Sequence, residues 1–323
     1  MHFKDMKVLV AGGTGMIGIP LVKLLIEQGA HVRISSLDDP SRANPSAEFI
    51  RLDLTKLENC RKVCSGMEFV FNLLGVKASP AITTTKPASF LYPTVMMEMN
   101  MLEAARIEGV AGYLLTSSIG VYAPAEIFYE DNVWKTFPSP NDWFSGWSKR
   151  IGELQAEAYK IEYNWDSIAI VRPANVYGPF DNFDSQNAMV VPSLIKRALS
   201  GEDPLRVWGD GTPLRDFIHA NDVARGILIA AKKMPENPIN LGNGKGVSIR
   251  DLVNIIVSCL GKKPEIIWER SKPGGDNIRL MDVSRARELG FEPKISLEQG
   301  IGDVMKWYSA NCSTTHKRYD VYD

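Results

Sequence analysis

The chain has 323 residues, of which 37 are basic and 38 acidic, so its formal net charge is −1. A chain with so small a net charge has no general attraction for nucleic acid or for an anionic membrane. Its four cysteines and four histidines are scattered without disulfide or metal-site spacing, so no metal is expected. Because no apolar run reaches the roughly 18 residues of a membrane span and no signal peptide is recognisable, we expect a cytoplasmic protein.

The first 170 residues alternate between the patterns of strands and helices. A continuous apolar run at 8–11 predicts a buried parallel strand, and 16–28 repeats leucines on one helical face. Further strands are predicted at 31–35, 48–51, 68–73, 112–116 and 167–171, and further helices at 89–108 and 146–163. This alternation predicts an α/β fold with a Rossmann-type, doubly wound parallel sheet.

The pattern changes after Arg172 and Pro173, where loops lengthen and prolines recur. Short helices are predicted at 190–199, 221–232, 248–260 and 297–308. We therefore expect a Rossmann domain over 1–172, with parts of 216–242 returning to it, a smaller C-terminal lobe over 173–310, and a polar tail over 311–323.

A glycine-rich turn lies between the first predicted strand and the first predicted helix. Gly12, Gly15 and Gly18 have the spacing that permits a tight turn, close approach of a pyrophosphate, and close packing of helix on strand. Free N–H groups at a helix start also favour phosphate. We predict a dinucleotide site whose phosphate contacts come from Gly12, Thr14, Gly15, Met16 and Ile17.

The end of the second strand decides between NAD and NADP, because an acid there binds the adenosine ribose of NAD. Ser36 occupies this slot, with Asp38, Asp39 and Arg42 close behind it. Serine and arginine would suit a 2′-phosphate, whereas two aspartates would repel one. The pattern favours NAD and leaves NADP open.

Several segments together resemble the extended short-chain dehydrogenase/reductase family of nucleotide-sugar epimerases and dehydratases. Two C-terminal stretches, 207–217 and 272–284, look most like GDP-fucose synthases. The other matching segments are 12–18, 53–54, 74–77, 116–122, 148–150 and 172–179. The resemblance implies a substrate lobe for a nucleotide sugar, and cofactor contacts from Asp53, Leu54, Leu74, Lys77 and Lys149.

The resemblance also assigns catalytic roles, and one of them is altered. Ser118 matches the family serine or threonine that hydrogen-bonds the reacting sugar oxygen, although a serine here would also suit a strand end. Lys149 matches the family lysine, but four residues earlier Ser145 stands where the family has tyrosine. An alcohol does not ionise near neutral pH, and general acid–base help contributes ~10²–10⁴ in rate. Tyr92, Tyr129 or water are the replacements that we consider.

Two family chemistries are disfavoured by what this chain lacks. Ile119 and Gly120 follow Ser118 where dehydratases carry an acidic pair. Gly120 and Phe180 also stand where fucose synthases carry the cysteine and histidine that epimerise the sugar. Neither can move a proton.

The resemblance places substrate contacts in the second lobe. It implies Asn175 and Arg215 at the diphosphate, with Arg279 also within reach of a phosphate. It places Val191, Lys196 and Trp208 on the side of the base. Judged from the residues alone, each arginine could instead form a surface ion pair.

The resemblance also implies that the helix with a methionine-rich run at 96–101 and the helix that carries Lys149 form a four-helix bundle in a homodimer. We expect hydride chemistry at C4 of a nucleotide-linked sugar, with a GDP-linked sugar favoured. The alternatives are a catalytically silent subunit that binds cofactor and nucleotide sugar, and a reductase of a 4-keto sugar.

Overall fold

The computed structural model describes residues 3–76, 79–184, 188–272 and 275–312. Its centre is a seven-stranded parallel sheet in the order β10-β6-β5-β4-β1-β2-β3. The strands are β1 (Lys7–Ala11), β2 (His31–Ser36), β3 (Glu48–Arg51), β4 (Phe69–Asn72), β5 (Gly112–Thr116), β6 (Ile168–Pro173) and β10 (Ile239–Leu241). This sheet confirms the predicted Rossmann-type fold class.

Helices cover both faces of this sheet, which explains why its central strands are apolar on both sides. Val8 and Val10 of β1 pack in one core with α1 (Gly18–Glu27) and α7 (Ala220–Lys233). Leu9 and Ala11 face the opposite core with α2 (Leu57–Cys64), α4 (Pro87–Ile107) and α5 (Trp143–Tyr163). A further short helix, α3 (Pro80–Thr85), precedes α4.

A third core lies among the C-terminal elements. Its helices are α6 (Val190–Leu199), α8 (Ile249–Ser258) and α10 (Leu297–Asn311). The accompanying strands are β7 (Asn175–Tyr177), β9 (Leu214–His219), β11 (Gly246–Ser248) and β13 (Ile278–Arg279) in one sheet, and β8 (Leu205–Trp208) with β12 (Ile266–Glu269) in another. Helix α9 (Ser284–Glu288) packs against β10.

The predicted boundaries shift by a few residues where glycine or proline chemistry sets the end of an element. Helix α1 begins at Gly18 rather than at residue 16, because the turn that precedes it continues through Ile17. Helix α2 was not predicted, because only three of its eight residues are buried. Among the described residues, no helix is long and apolar enough to cross a membrane.

Candidate active site

A cleft with a volume of about 1230 Å³ lies at the carboxyl ends of the central strands. This edge is where open parallel sheets bind their ligands. Its lining brings together most of the predicted site residues: Gly12, Thr14, Gly15, Met16, Ile17, Ser36, Asp53, Leu54, Leu74, Ser118, Ser145, Lys149, Asn175, Val191, Lys196 and Arg279. Lys77 lies outside the described residues.

The glycine turn forms one wall of the cleft, and its shape depends on missing side chains. Gly12 has a φ of +83° and donates its N–H to the Ser35 carbonyl at 2.8 Å. A Cβ on Gly18 would stand 2.3 Å from the Gly12 oxygen, so helix and turn touch. No side chain caps the start of α1. Within α1, Ile19 donates its N–H to the Gly15 carbonyl and Pro20 has no N–H, so a phosphate would meet the N–H groups of Met16, Ile17 and Gly18, and the turn fits a dinucleotide.

The end of β2 places a buried acid beside the turn. Thr14 donates its hydroxyl towards Ser36 Oγ at 2.8 Å and Asp38 Oδ2 at 2.7 Å. Asp38 is only 6% exposed, and Arg42 Nε lies 3.8 Å from its Oδ2. An acid so placed suits the hydroxyl groups of a ribose and opposes an added phosphate.

Asp53, Leu54 and Leu74 line the neighbouring part of the cleft. Asp53 Oδ1 accepts from the backbone N–H and the hydroxyl of Thr55, at 3.0 and 2.7 Å. Leu74 donates its N–H to Asn72 Oδ1 at 3.0 Å. These bonds fix the loops after β3 and β4, so the apolar side chains of Leu54 and Leu74 keep their places.

Ser118 and Ser145 meet across Gly120. Ser118 follows β5, and its Oγ accepts from the Gly120 N–H at 3.1 Å. Ser145 lies in the first turn of α5, and its hydroxyl donates to the Asp142 carbonyl at 3.1 Å. A Cβ on Gly120 would stand 3.3 Å from Ser145 Oγ, 3.5 Å from Ser118 Oγ and 3.5 Å from Asp142 Cβ. The two hydroxyls and the aspartate therefore border one small space.

The Lys149 ammonium is held on three sides. It donates to the carboxylate of Glu98, to the Leu74 carbonyl at 2.8 Å and to the Thr116 carbonyl at 2.9 Å. The Glu98 side chain is fully buried, and this burial raises its pKa, although Lys149 acts in the opposite direction. The ion pair fixes the lysine at the base of the cleft.

A second buried ion pair supports the same helix. Glu153 of α5 pairs with Arg172 of β6 at 2.7 Å, and both side chains are at most 2% exposed. Ser117 donates its hydroxyl to Glu153, and Arg172 also donates to the Tyr122 hydroxyl at 3.1 Å. This network joins α5 to the ends of β5 and β6, next to Ser118.

The substrate-side residues differ in their availability. Asn175 donates its side-chain amide to the Asp216 carbonyl at 2.9 Å, and Lys196 donates to the Phe183 carbonyl at 3.0 Å. Arg279 forms an ion pair with Asp142 at 2.6 Å. Ion pairing was the alternative that the residues alone allowed for this arginine.

Two predicted substrate residues lie outside the described lining of the cleft. Trp208 is 57% exposed, with the Lys272 ammonium 5.8 Å from its ring. Arg215 donates to the Leu214 carbonyl, and burial together with Arg279 lowers its pKa to about 10. Substrate roles for Trp208 and Arg215 remain predictions.

Sequence reasoning overlooked Asp142 and Glu98, and it misjudged the surroundings of Tyr129. Tyr92 does line the cleft, but Tyr129 is not among its described lining residues. Glu98 stood inside the methionine run, whose helical spacing drew attention to the apolar side chains instead. Asp142 carried one available signal, its position three residues before Ser145 and hence on the same helical turn.

Among the described residues, no group of three or more His, Cys, Asp or Glu side chains could hold a metal ion. The four cysteines are free thiols, and Cys60 and Cys64 are buried. Burial raises the pKa of the Cys60 thiol to about 12, which leaves it unreactive.

A nucleotide-binding turn beside two serines and a lysine defines a nicotinamide-dependent enzyme of the Rossmann type. A sequence model of the NAD dependent epimerase/dehydratase family matches residues 8–242. The chain belongs to this family and uses a nicotinamide cofactor, with NAD favoured and NADP the alternative.

The most informative relatives act on different nucleotide sugars, as their names state. GDP-L-fucose synthase 1 of Arabidopsis thaliana is 30% identical over 96% of this chain and 95% of its own. A dTDP-4-dehydro-6-deoxy-D-allose reductase of a Streptomyces species is 29% identical over 93% of this chain and 95% of its own. The crystal structure of a Thermotoga maritima UDP-glucose 4-epimerase with UDP-glucose superposes with a TM-score of 0.85 at 28% identity, covering 95% and 100% of the two chains.

Proposed function

We propose that the protein is an oxidoreductase or epimerase that acts at C4 of a nucleotide-linked sugar through a 4-keto intermediate or product. One observation carries this proposal: Ser118, Ser145 and Lys149 line the same cleft as the dinucleotide turn. The nicotinamide cofactor, when bound, accepts or supplies the hydride. NADP in place of NAD remains open, although Asp38 favours NAD.

The residues of the chain would bind and orient the sugar and the cofactor. Ser118 Oγ would hydrogen-bond the reacting sugar oxygen. Lys149 would hold the nicotinamide ribose, because Glu98 and two carbonyls keep its ammonium at the cleft base. Asn175, Val191 and Lys196 line the other end, where we place the nucleotide of the substrate.

We favour a GDP-linked sugar, because similar relatives with full coverage are named as GDP-L-fucose synthases. Gly120 and Phe180 set this chain apart from that chemistry, since neither side chain can move a proton. Phe180 packs its ring 4.9 Å from that of Trp307 rather than lining the cleft. We therefore propose a reaction confined to C4, without epimerisation at neighbouring carbons.

We also propose a homodimer through α4 and α5. Residues 147, 151, 154, 158 and 161 of α5 follow a spacing that forms one stripe, as in helix bundles. Leu154 and Ile161 in this stripe are 54% and 74% exposed, which is unusual for large apolar side chains. Glu153 would not take part, because it is buried against Arg172.

A single-turnover experiment tests the reaction. Purified protein with NAD is mixed with GDP-, UDP- and dTDP-hexoses, and nicotinamide absorbance is followed. We expect reduction with at least one nucleotide sugar and a fall in rate by about 10²–10³ in Ser118→Ala, which loses the hydrogen bond to the reacting oxygen. The matched control is Ser167→Ala, a serine that precedes β6 and does not line the cleft.

Two outcomes would redirect the proposal. If the protein binds nucleotide sugar but never reduces NAD nor oxidises NADH with a 4-keto sugar, it is the silent subunit. If only the 4-keto sugar reacts, it is a reductase. A preference for UDP- or dTDP-linked sugars over GDP-linked sugars would change only the nucleotide base that we assign to the substrate.

A further inference from the structure

The C4 reaction leaves one requirement that the described site residues have not met. Oxidising an alcohol to a ketone releases a proton from the hydroxyl, and an ionisable group must receive it. Ser145, in the place of the family phenol, cannot do so by itself because an alkyl alcohol does not ionise near neutral pH. This inference rests on the proposed function, since only that function demands a proton acceptor.

Asp142, three residues before Ser145, and Lys149, one helical turn after it, are the ionisable side chains of α5 and its N-cap that line the cleft. Lys149 donates to Glu98 and two carbonyls as an ammonium, so it has no lone pair with which to receive a proton. Other aspartates of the cleft bond elsewhere: Asp38 accepts from Thr14 and Asp53 from Thr55, beside the dinucleotide turn, and Asp181 accepts from the Asn182 N–H. Asp142 is therefore the acid that lies close enough to Ser145 to receive the proton.

The Asp142 side chain points into the site rather than serving the helix that it precedes. It occupies the N-cap position of α5, where an aspartate normally accepts from a backbone N–H of the first turn. It makes no such bond here. Its Oδ2 faces Arg279 at 2.6 Å, and its Oδ1 lies 3.5 Å from Ser145 Oγ.

This arrangement gives each carboxylate oxygen a separate partner. The ion pair with the Arg279 guanidinium draws Oδ2 to one side and so favours the rotamer in which Oδ1 faces the serine hydroxyl. The missing side chain at Gly120 keeps the space between Ser118 Oγ, Ser145 Oγ and Asp142 Cβ clear. A sugar oxygen bound by Ser118 would enter this space within reach of Ser145.

We propose that Asp142 exchanges the proton of the reacting sugar hydroxyl through the Ser145 hydroxyl, in place of the tyrosine that this chain lacks. In oxidation, the sugar hydroxyl gives its proton to Ser145 Oγ, and Ser145 gives its own proton to Asp142 Oδ1. The nicotinamide, when bound, would supply the acceptor for the C4 hydrogen as hydride, which balances conversion of the C–O bond to a carbonyl. In reduction each transfer runs backwards, so protons and electrons balance in both directions.

The first test compares Asp142→Asn with native protein in single turnovers with the nucleotide sugar that native protein accepts. We expect the rate to fall by about 10²–10⁴ while occupancy of NAD stays at the native level. Asp276→Asn is the matched control. Asp276 is an acid bonded to Ser139 and Asn141 of the same turn, but it does not line the cleft. We expect it to keep the native rate.

Chemical rescue separates proton transfer from a merely structural role. In Asp142→Ala, added formate should restore turnover in proportion to its concentration, whereas methanesulfonate, an anion that can also pair with Arg279 but does not accept a proton near neutral pH, should not restore it. Ser145→Ala leaves the Asp142–Arg279 pair in place and should lose activity to a similar degree. Equal rescue by both anions, or a native rate in Ser145→Ala, would refute proton transfer from Ser145 to Asp142.

A spectroscopic arm does not depend on turnover. Protein labelled with ¹³C at aspartate carboxyl carbons is mixed with a GDP-hexose, and the infrared difference spectrum is recorded. We expect one perturbed carboxylate band, which disappears in Asp142→Asn and persists in Asp276→Asn. A band that persists in Asp142→Asn contradicts the assignment, even where the variant turns over poorly for other reasons.

The outcomes distinguish this inference from the function beneath it. Native protein that turns over a nucleotide sugar, together with an equally active Asp142→Asn, refutes the proton acceptor and leaves the C4 reaction standing. Native protein that turns over no nucleotide sugar refutes both. If Asp142→Asn does not fold, Asp142→Glu decides, since it keeps the charge facing Arg279 but moves the carboxylate by one methylene; we expect at least a tenfold loss.

Discussion

Replacing Gly18 with alanine should weaken cofactor binding while leaving the rest of the fold in place. The added Cβ would stand 2.3 Å from the Gly12 oxygen, 2.6 Å from the Gly13 Cα and 2.8 Å from the Gly13 carbonyl carbon. All three are backbone atoms, so no side chain can rotate away. Overpacking of this kind costs about 1–3 kcal/mol, and the cheapest relief moves the start of α1 away from the turn.

That movement separates the N–H groups that would meet the pyrophosphate. A loss of about 1.4 kcal/mol lowers affinity tenfold, so we expect NAD affinity to fall between roughly five- and 150-fold. Titration calorimetry with NAD measures this directly, and urea denaturation reports the accompanying loss of stability.

Gly302→Ala is the matched control, because Gly302 also lies in a helix, α10, and a Cβ there meets nothing within 4 Å. We expect this variant to gain about 0.5–1 kcal/mol in unfolding free energy and to bind NAD normally. If Gly18→Ala binds NAD as tightly as native protein, the packing of helix on turn does not shape the cofactor site, and our reasoning is wrong.

Three further predictions concern buried charges. Glu98→Gln leaves the Lys149 ammonium without its counter-charge, so we expect the unfolding free energy to fall by about 3 kcal/mol, as measured by urea denaturation. This value is at the low end for broken buried ion pairs because Lys149 is 13% exposed. Asp38→Ser removes the acid at the ribose slot, so the preference for NAD over NADP in binding titrations should fall at least about tenfold; an unchanged preference places the selection elsewhere. Burial raises the pKa of Asp216 from 3.8 to about 6, so the folded state binds its proton more tightly than the unfolded chain. The contribution of Asp216 to stability is therefore largest below about pH 4 and declines by roughly 3 kcal/mol as the pH rises to about 6. The difference in unfolding free energy between native protein and Asp216→Asn should narrow over that range. A constant difference would contradict the raised pKa of Asp216.

The fold could be predicted because its signals are local. A continuous apolar run marks a strand buried on both faces, and Val8, Leu9, Val10 and Ala11 are each fully buried. The glycines of the dinucleotide turn could be placed for the same reason, since strand, turn and helix follow one another along the chain. Helix α2 was not predicted because only a few of its residues are buried, Cys60 and Cys64 among them. So few buried positions give no periodic pattern that would distinguish the helix from a polar loop.

The chemistry of the cleft could be predicted only in part, because its decisive contacts join distant segments. Nothing in the sequence shows that Glu98 meets Lys149, which follows it by 51 positions. The pairing of Arg279 with Asp142 likewise joins β13 to the start of α5. Such pairs depend on how the elements pack, and a linear pattern carries no record of that packing.

The three ion pairs of helix α5 and its N-cap differ in role, since two of them pack the helix against the sheet and the third borders the cleft. The pairs of Lys149 with Glu98 and of Arg172 with Glu153 face the sheet, and the two acids are at most 2% exposed, so both pairs mainly fix the position of the helix. The third pair, at Asp142, is 15–17% exposed and borders the cleft. Water or substrate can therefore reach Asp142, whereas Glu98 and Glu153 cannot exchange protons with a bound sugar without opening the core. A carboxylate that receives the substrate proton must be accessible and yet held in one rotamer, and of these three acids Asp142 alone meets both conditions.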